Sequence, residues 1–152
     1  MTNRAPISVL VVDDSSRIRT SLRQMMEPDP RFGKLLEAAN ATEGFSLFEL
    51  NRPDAVVLDL QLPDLNGLEV LKMMKAAHPA AVVVVLTSHN EPEIREECRR
   101  RGADWFIEKA PGLATVASSL LWLCFSSQRT RSSAIQERGD SPIDSARKRR
   151  VE

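Results

Sequence analysis

The sequence predicts an α/β fold: a doubly wound, five-stranded parallel sheet with helices on both faces. Two observations carry this. Five short runs rich in β-branched residues alternate with five stretches of helical periodicity. The runs are also apolar almost throughout, as strands covered on both faces are, instead of alternating apolar with polar. A third observation concerns where the runs stop. They end in Asp13 and Asp14, in Asp59, in Thr87 and near Lys109, and open parallel sheets bind their ligands beyond the carboxyl ends of the strands.

The first strand is ISVLVV, residues 7–12. SSRIRTSLRQMME follows, with Ile18, Leu22, Met25 and Met26 at helical spacing and Ser15 or Ser16 as the cap. PDPRFG reads as a loop and KLLEAA as a short second strand, residues 34–39. TEGFSLFELN places Phe45 and Phe48 on one helical face, and PDAVVLDL is the third strand. QLPDLNG is a loop in which Pro63 and Gly67 serve as punctuation, and LEVLKMMKAAH a helix with Leu68, Leu71 and Met74 inward. AAVVVVLTS is the most apolar strand and is expected at the centre of the sheet. EPEIREECRRR is a helix with Pro92 in its first turn and Gly102 just past its end. ADWFIEK is the fifth strand, and LATVASSLLWLCF, residues 113–125, the fifth helix.

The chain has 152 residues, 42% hydrophobic and 28% charged, with 21 basic and 21 acidic side chains. That is an ordinary globular composition whose overall charge points to no partner. One domain over residues 1–126 is expected, followed at 127–152 by a polar, net basic tail with too few large apolar residues to order itself. The tail is too short for an output domain, so a stand-alone module is expected, and ARKRR is read as a solvated charge run with no specific nucleic-acid partner. Two cysteines, Cys98 and Cys124, lack metal-ligand spacing and read as reduced, packed thiols. No signal peptide and no apolar run long enough to span a bilayer is present, so a cytoplasmic protein without a membrane partner is expected.

If strands one, three, four and five are neighbours, Asp13, Asp14, Asp59, Thr87 and Lys109 converge on one crevice. Clustered carboxylates leave negative charge uncompensated, and Mg²⁺ suits a small site of few carboxylates completed by waters and phosphate oxygens. A cation and an ammonium around one carboxylate are equipment for receiving a phosphoryl group as an aspartyl phosphate. Taken singly, each of these residues has an ordinary reading: a turn-forming Asp, a solvated Lys, a capping Thr with Ser88 beside it offering the same geometry. The ordered set reverses that.

VVDDSS, VVLDLQLPDLNG, VVLTS and ADWFIEK, in this order and spacing, resemble the receiver domain of bacterial response regulators over about residues 7–125. The resemblance implies a flavodoxin-like (βα)5 fold with strand order 2-1-3-4-5. It implies Asp59 as phosphoacceptor, and Mg²⁺ bound by Asp14, Asp59 and the backbone carbonyl of Gln61, with Asp13 acting through water. Thr87 is implied as the switch hydroxyl, Lys109 as the phosphate-pairing lysine and Phe106 as the switch aromatic. Gln61 and His89 border the phosphoryl position, where they tune its loss to water. The expected donor is a histidine kinase or histidine phosphotransfer protein. An unidentified downstream protein, or a second copy of the chain, is expected on the face of the fourth helix, fifth strand and fifth helix.

Two features depart from the family pattern. Where many receivers have a proline directly after the lysine, joined by a cis bond, Ala110 intervenes before Pro111. Phe106 replaces a tyrosine, so the switch must act by packing and not through a hydroxyl. The fifth helix carries no charge from Leu113 to Phe125. Val116, Leu120, Leu123 and Cys124 are expected to line the core, leaving Leu121, Trp122 and Phe125 partly outside; with Trp105 on the opposite strand face from Phe106, these are the interface candidates. Two other readings remain: a constitutive interaction module with a vestigial pocket, and a Mg²⁺-dependent phosphohydrolase. The hydrolase needs an acid for its leaving group two residues after the nucleophile, where this chain has Gln61. The protein is therefore expected to catalyse only its own modification and to be no enzyme toward other substrates.

Overall fold

The computed structural model describes residues 5–129. Its strands are β1 (Ile7–Val12), β2 (Phe32–Ala38), β3 (Ala55–Leu58), β4 (Val82–Thr87) and β5 (Trp105–Glu108). Between and after them run α1 (Ser16–Met26), α2 (Ala41–Asn51), α3 (Gly67–Ala77), α4 (Pro92–Arg100) and α5 (Val116–Arg129). The sheet is parallel in the order β2-β1-β3-β4-β5, so the predicted fold class and strand order hold.

Burial explains the unbroken apolar runs. All residues of β3 and β4 are buried, and β1 is buried except at Ser8. Successive side chains point to opposite faces, so each strand feeds two cores. Leu10, Val12, Val56, Leu58, Val83, Val85 and Phe106 pack with α2, α3 and α4 residues such as Phe48, Leu71, Met74 and Cys98. Val9, Val11, Val57, Val84, Leu86 and Ile107 pack on the other face with Leu22 and Met26 of α1 and Val116, Leu120 and Leu121 of α5. Each such buried aliphatic side chain contributes about 1.5–3 kcal/mol. Cys98 and Cys124 are buried, and burial pushes the Cys98 thiol up to about 12.

The helix starts follow local chemistry. Ser15, not Ser16, caps α1 by accepting the Ile18 N–H at 3.2 Å. Asn40 caps α2 through the Glu43 N–H at 2.8 Å. Asp64, from the loop before α3, adds a second cap to α2: it accepts the Ala41 and Thr42 N–H groups at 2.8 and 2.9 Å and the Thr42 hydroxyl at 2.7 Å. These hydrogen bonds, the Ala41 one foremost, lower its carboxyl to about 2. Pro92 opens α4, and Gly102, at φ +100°, leaves it.

Several expectations are corrected. β2 starts at Phe32, inside the segment read as a loop, and the exposed Gly33 belongs to it; a glycine is tolerated there because β2 is an edge strand. The cis peptide lies at Ala110–Pro111, one bond beyond the lysine. Ala110 is extended, which splits the segment after β5 into a kinked turn, Lys109–Gly112, and a 3-10 turn, Leu113–Thr115. The fifth helix proper begins only at Val116 and runs past Phe125 to Arg129. Leu121 is buried, not partly outside, and Leu123 only partly buried. The expected tail, apart from residues 127–129, lies outside the described residues.

Gly67 is more than punctuation. A Cβ there would lie 2.4 Å from the Leu60 Cα and 2.6 Å from the Asp59 carbonyl oxygen, where α3 starts against the end of β3. Helix propensity alone predicts that Gly67→Ala stabilises, by about 0.5–1 kcal/mol. The backbone collision predicts the reverse, a loss of about 2–3 kcal/mol, read as a lower urea midpoint. An unchanged or higher midpoint contradicts this close approach.

Candidate functional site

The site follows from sheet register. Val12 pairs with Leu58 across β1 and β3, so the next residues, Asp13 and Asp59, emerge side by side. The ladder continues through them, with the Asp13 N–H on the Ala38 carbonyl at 3.0 Å and the Asp59 N–H on the Val12 carbonyl at 2.9 Å. Across β4 and β5, Thr87 pairs with Glu108, and Lys109 follows immediately. Four strands thus deliver their terminal side chains to one edge of the sheet.

Asp13, Asp59 and Thr87 are the buried polar residues at this edge, at 1%, 3% and 0% exposure, while Asp14 is exposed. The Lys109 ammonium lies 3.0 Å from Asp13 Oδ2 and 3.3 Å from Asp59 Oδ2. Asp13 Oδ1 accepts the Ser15 N–H at 2.9 Å, and Asp59 Oδ1 the Gln61 N–H at 3.2 Å. One charge-bearing lysine therefore faces two buried carboxylates and a third at the rim. Burial, then the neighbouring Asp13 charge, raise the Asp59 carboxyl above the ordinary range against the opposing pull of the Gln61 N–H and Lys109. For Lys109, burial works to lower the pKa, but Asp13 and Asp59 together outweigh it and the ammonium is held above its usual value.

The donor set fits a hard cation. One oxygen from each of Asp13, Asp14 and Asp59 falls within 4.8 Å of the others, the one such cluster found among the described residues. Asp13 Oδ2 is buried, and its one ion-pair contact among the described residues is with Lys109 at 3.0 Å, which supplies no formal hydrogen bond. A buried carboxylate oxygen left in this state carries a desolvation cost that a divalent cation removes.

Gln61 is exposed and bridges to Asn66 across the loop. The Thr87 hydroxyl oxygen accepts the His89 N–H at 3.2 Å, and exposed His89 lies with Nδ1 3.5 Å from Glu91 Oε2. Phe106 is buried at 4% exposure, with the Arg95 guanidinium over its ring. On the opposite strand face, half-buried Trp105 packs on Trp122, ring centroids 5.7 Å apart. Trp122 is 58% exposed and Phe125 half-buried, so the interface candidates reduce to Trp105, Trp122 and Phe125 once buried Leu121 is removed.

Sequence reasoning missed three supports. Arg19 donates to the Asp13 carbonyl at 2.6 Å and is braced by Glu37 of β2 at 3.2 Å. Gly67 permits the chain after Asp59 to turn into α3. Asp64 ties that same loop to α2. Only Arg19, one helical turn into α1 from the acidic pair, leaves a readable trace in the sequence.

With this geometry in place, likeness to known proteins becomes informative. The response regulator receiver domain family model matches residues 9–120. The nitrate/nitrite response regulator protein NarL of Escherichia coli (strain K12) is 33% identical over 109 residues, 72% of this chain and 50% of that protein. Response regulator MprA of Mycobacterium sp. (strain KMS) is 36% identical over 104 residues, 68% of this chain and 44% of that protein. The chain thus spans half or less of the length of these relatives. Among solved structures, the response regulator domain of Thermotoga maritima CheB aligns with a TM-score of 0.70 at 30% identity, over 80% of this chain and 95% of that one. A CheY-like receiver domain protein from Methanospirillum hungatei JF-1 aligns at 0.76 and 23% identity, over 82% and 98%, which shows the shared fold. With the acidic pocket at the strand ends and a family match over most of the described sheet, the chain belongs to the response regulator receiver domain family.

Proposed function

We propose that this receiver is a phosphorylation-controlled switch in which Asp59 accepts a phosphoryl group from a phosphohistidine of a histidine kinase or phosphotransfer protein. The observation that carries the reading is the buried Asp13–Asp59 pair facing a single lysine, with Asp13 Oδ2 lacking a hydrogen bond. Asp14, Asp59 and the Gln61 carbonyl would hold Mg²⁺, with Asp13 acting through water. When bound, Mg²⁺ supplies positive charge against the phosphoryl oxygens.

An Asp59 carboxylate oxygen attacks phosphorus, the donor's P–N bond breaks with its electron pair leaving on the imidazole nitrogen, and an acyl phosphate remains on Asp59. Lys109 already reaches Asp59 Oδ2 and pairs with a phosphoryl oxygen. The Thr87 hydroxyl oxygen accepts from His89, which leaves its own proton to donate to another. Gln61 and His89 stand at the rim, where they govern the approach of water. Phe106 is already buried in this structure, so modification stabilises a packing the chain can reach without it, and does so by shifting a population. The readout surface is the α4–β5–α5 face, where Trp122 is the largest exposed apolar side chain. The protein modifies itself and turns over no external substrate.

Incubation with Mg²⁺ and a small phosphodonor should add one phosphoryl group to the intact mass of the wild type and none to Asp59→Asn, and removal of Mg²⁺ should abolish the gain. If neither that gain nor binding of beryllium fluoride is observed, the pocket is vestigial and the reading fails.

The raised Asp59 carboxyl gives a second test. The native state binds this proton more tightly than the unfolded chain does, so stability declines as pH rises from the ordinary carboxylate range through the raised value. Asp59→Asn removes that penalty. Without divalent cations the variant should unfold at a higher urea concentration than wild type at pH 7, with the gain vanishing below about pH 4. Mg²⁺ should stabilise the wild type far more than the variant. A variant less stable than wild type at pH 7 contradicts the electrostatic account.

A further inference from the structure

We infer that Arg95 is a positioning residue that holds Phe106 in its buried place and ties it to the loop carrying Thr87. Arg95 stands in the first turn of α4 with its guanidinium carbon 4.7 Å from the Phe106 ring centroid. The same guanidinium donates to Asn90 Oδ1 at 3.1 Å, and Asn90 Nδ2 donates to Glu108 Oε1 at 3.1 Å. Phe106 and Glu108 are two apart on β5 and so face the same side of the sheet. Asn90 lies three residues after Thr87, and Glu108 directly precedes Lys109. One side chain thus touches the aromatic and, through one amide, links the ends of β4 and β5, two of the four strand ends that bear pocket residues.

The chemistry explains why this residue type is needed. A phenylalanine has no hydroxyl with which to fix its own position. A planar cation laid on the ring face is attracted by the ring's quadrupole, and a guanidinium can do this while keeping in-plane N–H groups for Asn90. For Phe106 to leave its site the ring must slide from under Arg95, and for the β4–α4 loop to shift Asn90 must move the guanidinium with it. Loop position and ring position are thereby linked. The functional consequence rests on the proposed phosphorylation of Asp59; the clasp itself does not.

The test therefore has two arms, one free of phosphorylation. In the unmodified full chain labelled with ¹³C-phenylalanine, the five phenylalanines give few enough ring signals for Phe106 to be assigned from Phe106→Leu. Arg95→Met should shift and exchange-broaden the Phe106 signal, leaving Phe48 unchanged as the control for folding. Arg95→Lys, which keeps a cation, should return it toward the wild-type position. In the second arm, Arg95→Met should slow phosphorylation by a small donor roughly two- to tenfold, the range a shift in the competent population gives. The loss should disappear in a Phe106→Leu background. An unmoved Phe106 signal in Arg95→Met overturns the inference, and so does an equal slowing with and without Phe106. If the signal moves as expected but Asp59 takes no phosphoryl group in any form, the clasp stands and the proposed function is what fails.

Discussion

Two carboxylates held side by side in a buried place set the terms for the rest of this molecule. Parallel pairing of Val12 with Leu58 commits Asp13 and Asp59 to adjacent exits from the sheet, both nearly inaccessible to water. Adjacent buried like charges are unfavourable, and the fold answers on three sides. Lys109 comes from β5, two strands from β3, to lie within 3.3 Å of both. Backbone N–H groups of Ser15 and Gln61 take up one oxygen of each acid. Arg19 holds the Asp13 carbonyl from behind. These still leave Asp13 Oδ2 with the Lys109 ion pair alone, and three clustered carboxylates against one lysine make the pocket receptive to a cation.

The sheet was legible because burial on both faces writes itself as uninterrupted Val, Leu and Ile runs, and the site because the polar residues that end those runs have no other reason to recur there. Register was not legible. Nothing in ISVLVV or AVVL dictates that Val12 meets Leu58; that follows from packing of the whole sheet. The start of β2 was hidden because Gly33, like Pro28 and Pro30 before it, is a turn former by local propensity; the two prolines do lie in the turn, but pairing of Ile7 with Phe32 carries Gly33 into the sheet. Leu121 was misplaced for a related reason. With no charge on α5 to mark its wet side, several apolar residues compete for the core, and only the docked geometry selects Val116, Leu120, Leu121 and Cys124.

Support for the site came largely from contacts that span the sequence. Asp64 lies five residues beyond Asp59, yet its carboxylate caps α2, so the loop that follows Asp59 is anchored part-way along by a hydrogen-bonded helix start. Gly67 ties the end of this loop to its start by allowing α3 to begin in contact with the Leu60 backbone, where its own N–H meets the Leu60 carbonyl at 2.9 Å. A loop fixed at both ends positions Asp59 with little freedom. This suits the proposed role of Asp59, in which alignment counts for more than intrinsic reactivity.

β5 then connects the pocket to the surface in four residues. Phe106 and Glu108 face α4, Trp105 and Ile107 face α5, and Lys109 reaches back to the acids. Because side chains alternate, any displacement of this strand end acts on both faces at once. On one it works against the Phe106 ring under Arg95; on the other it works through Trp105 against exposed Trp122. β5 is also an edge strand, hydrogen-bonded among the described residues to β4 alone, so its movement disrupts fewer backbone pairs than that of the inner strands beside it. The physical route from acid pocket to exposed Trp122 is therefore short. It runs along one strand, with an aromatic group on each side.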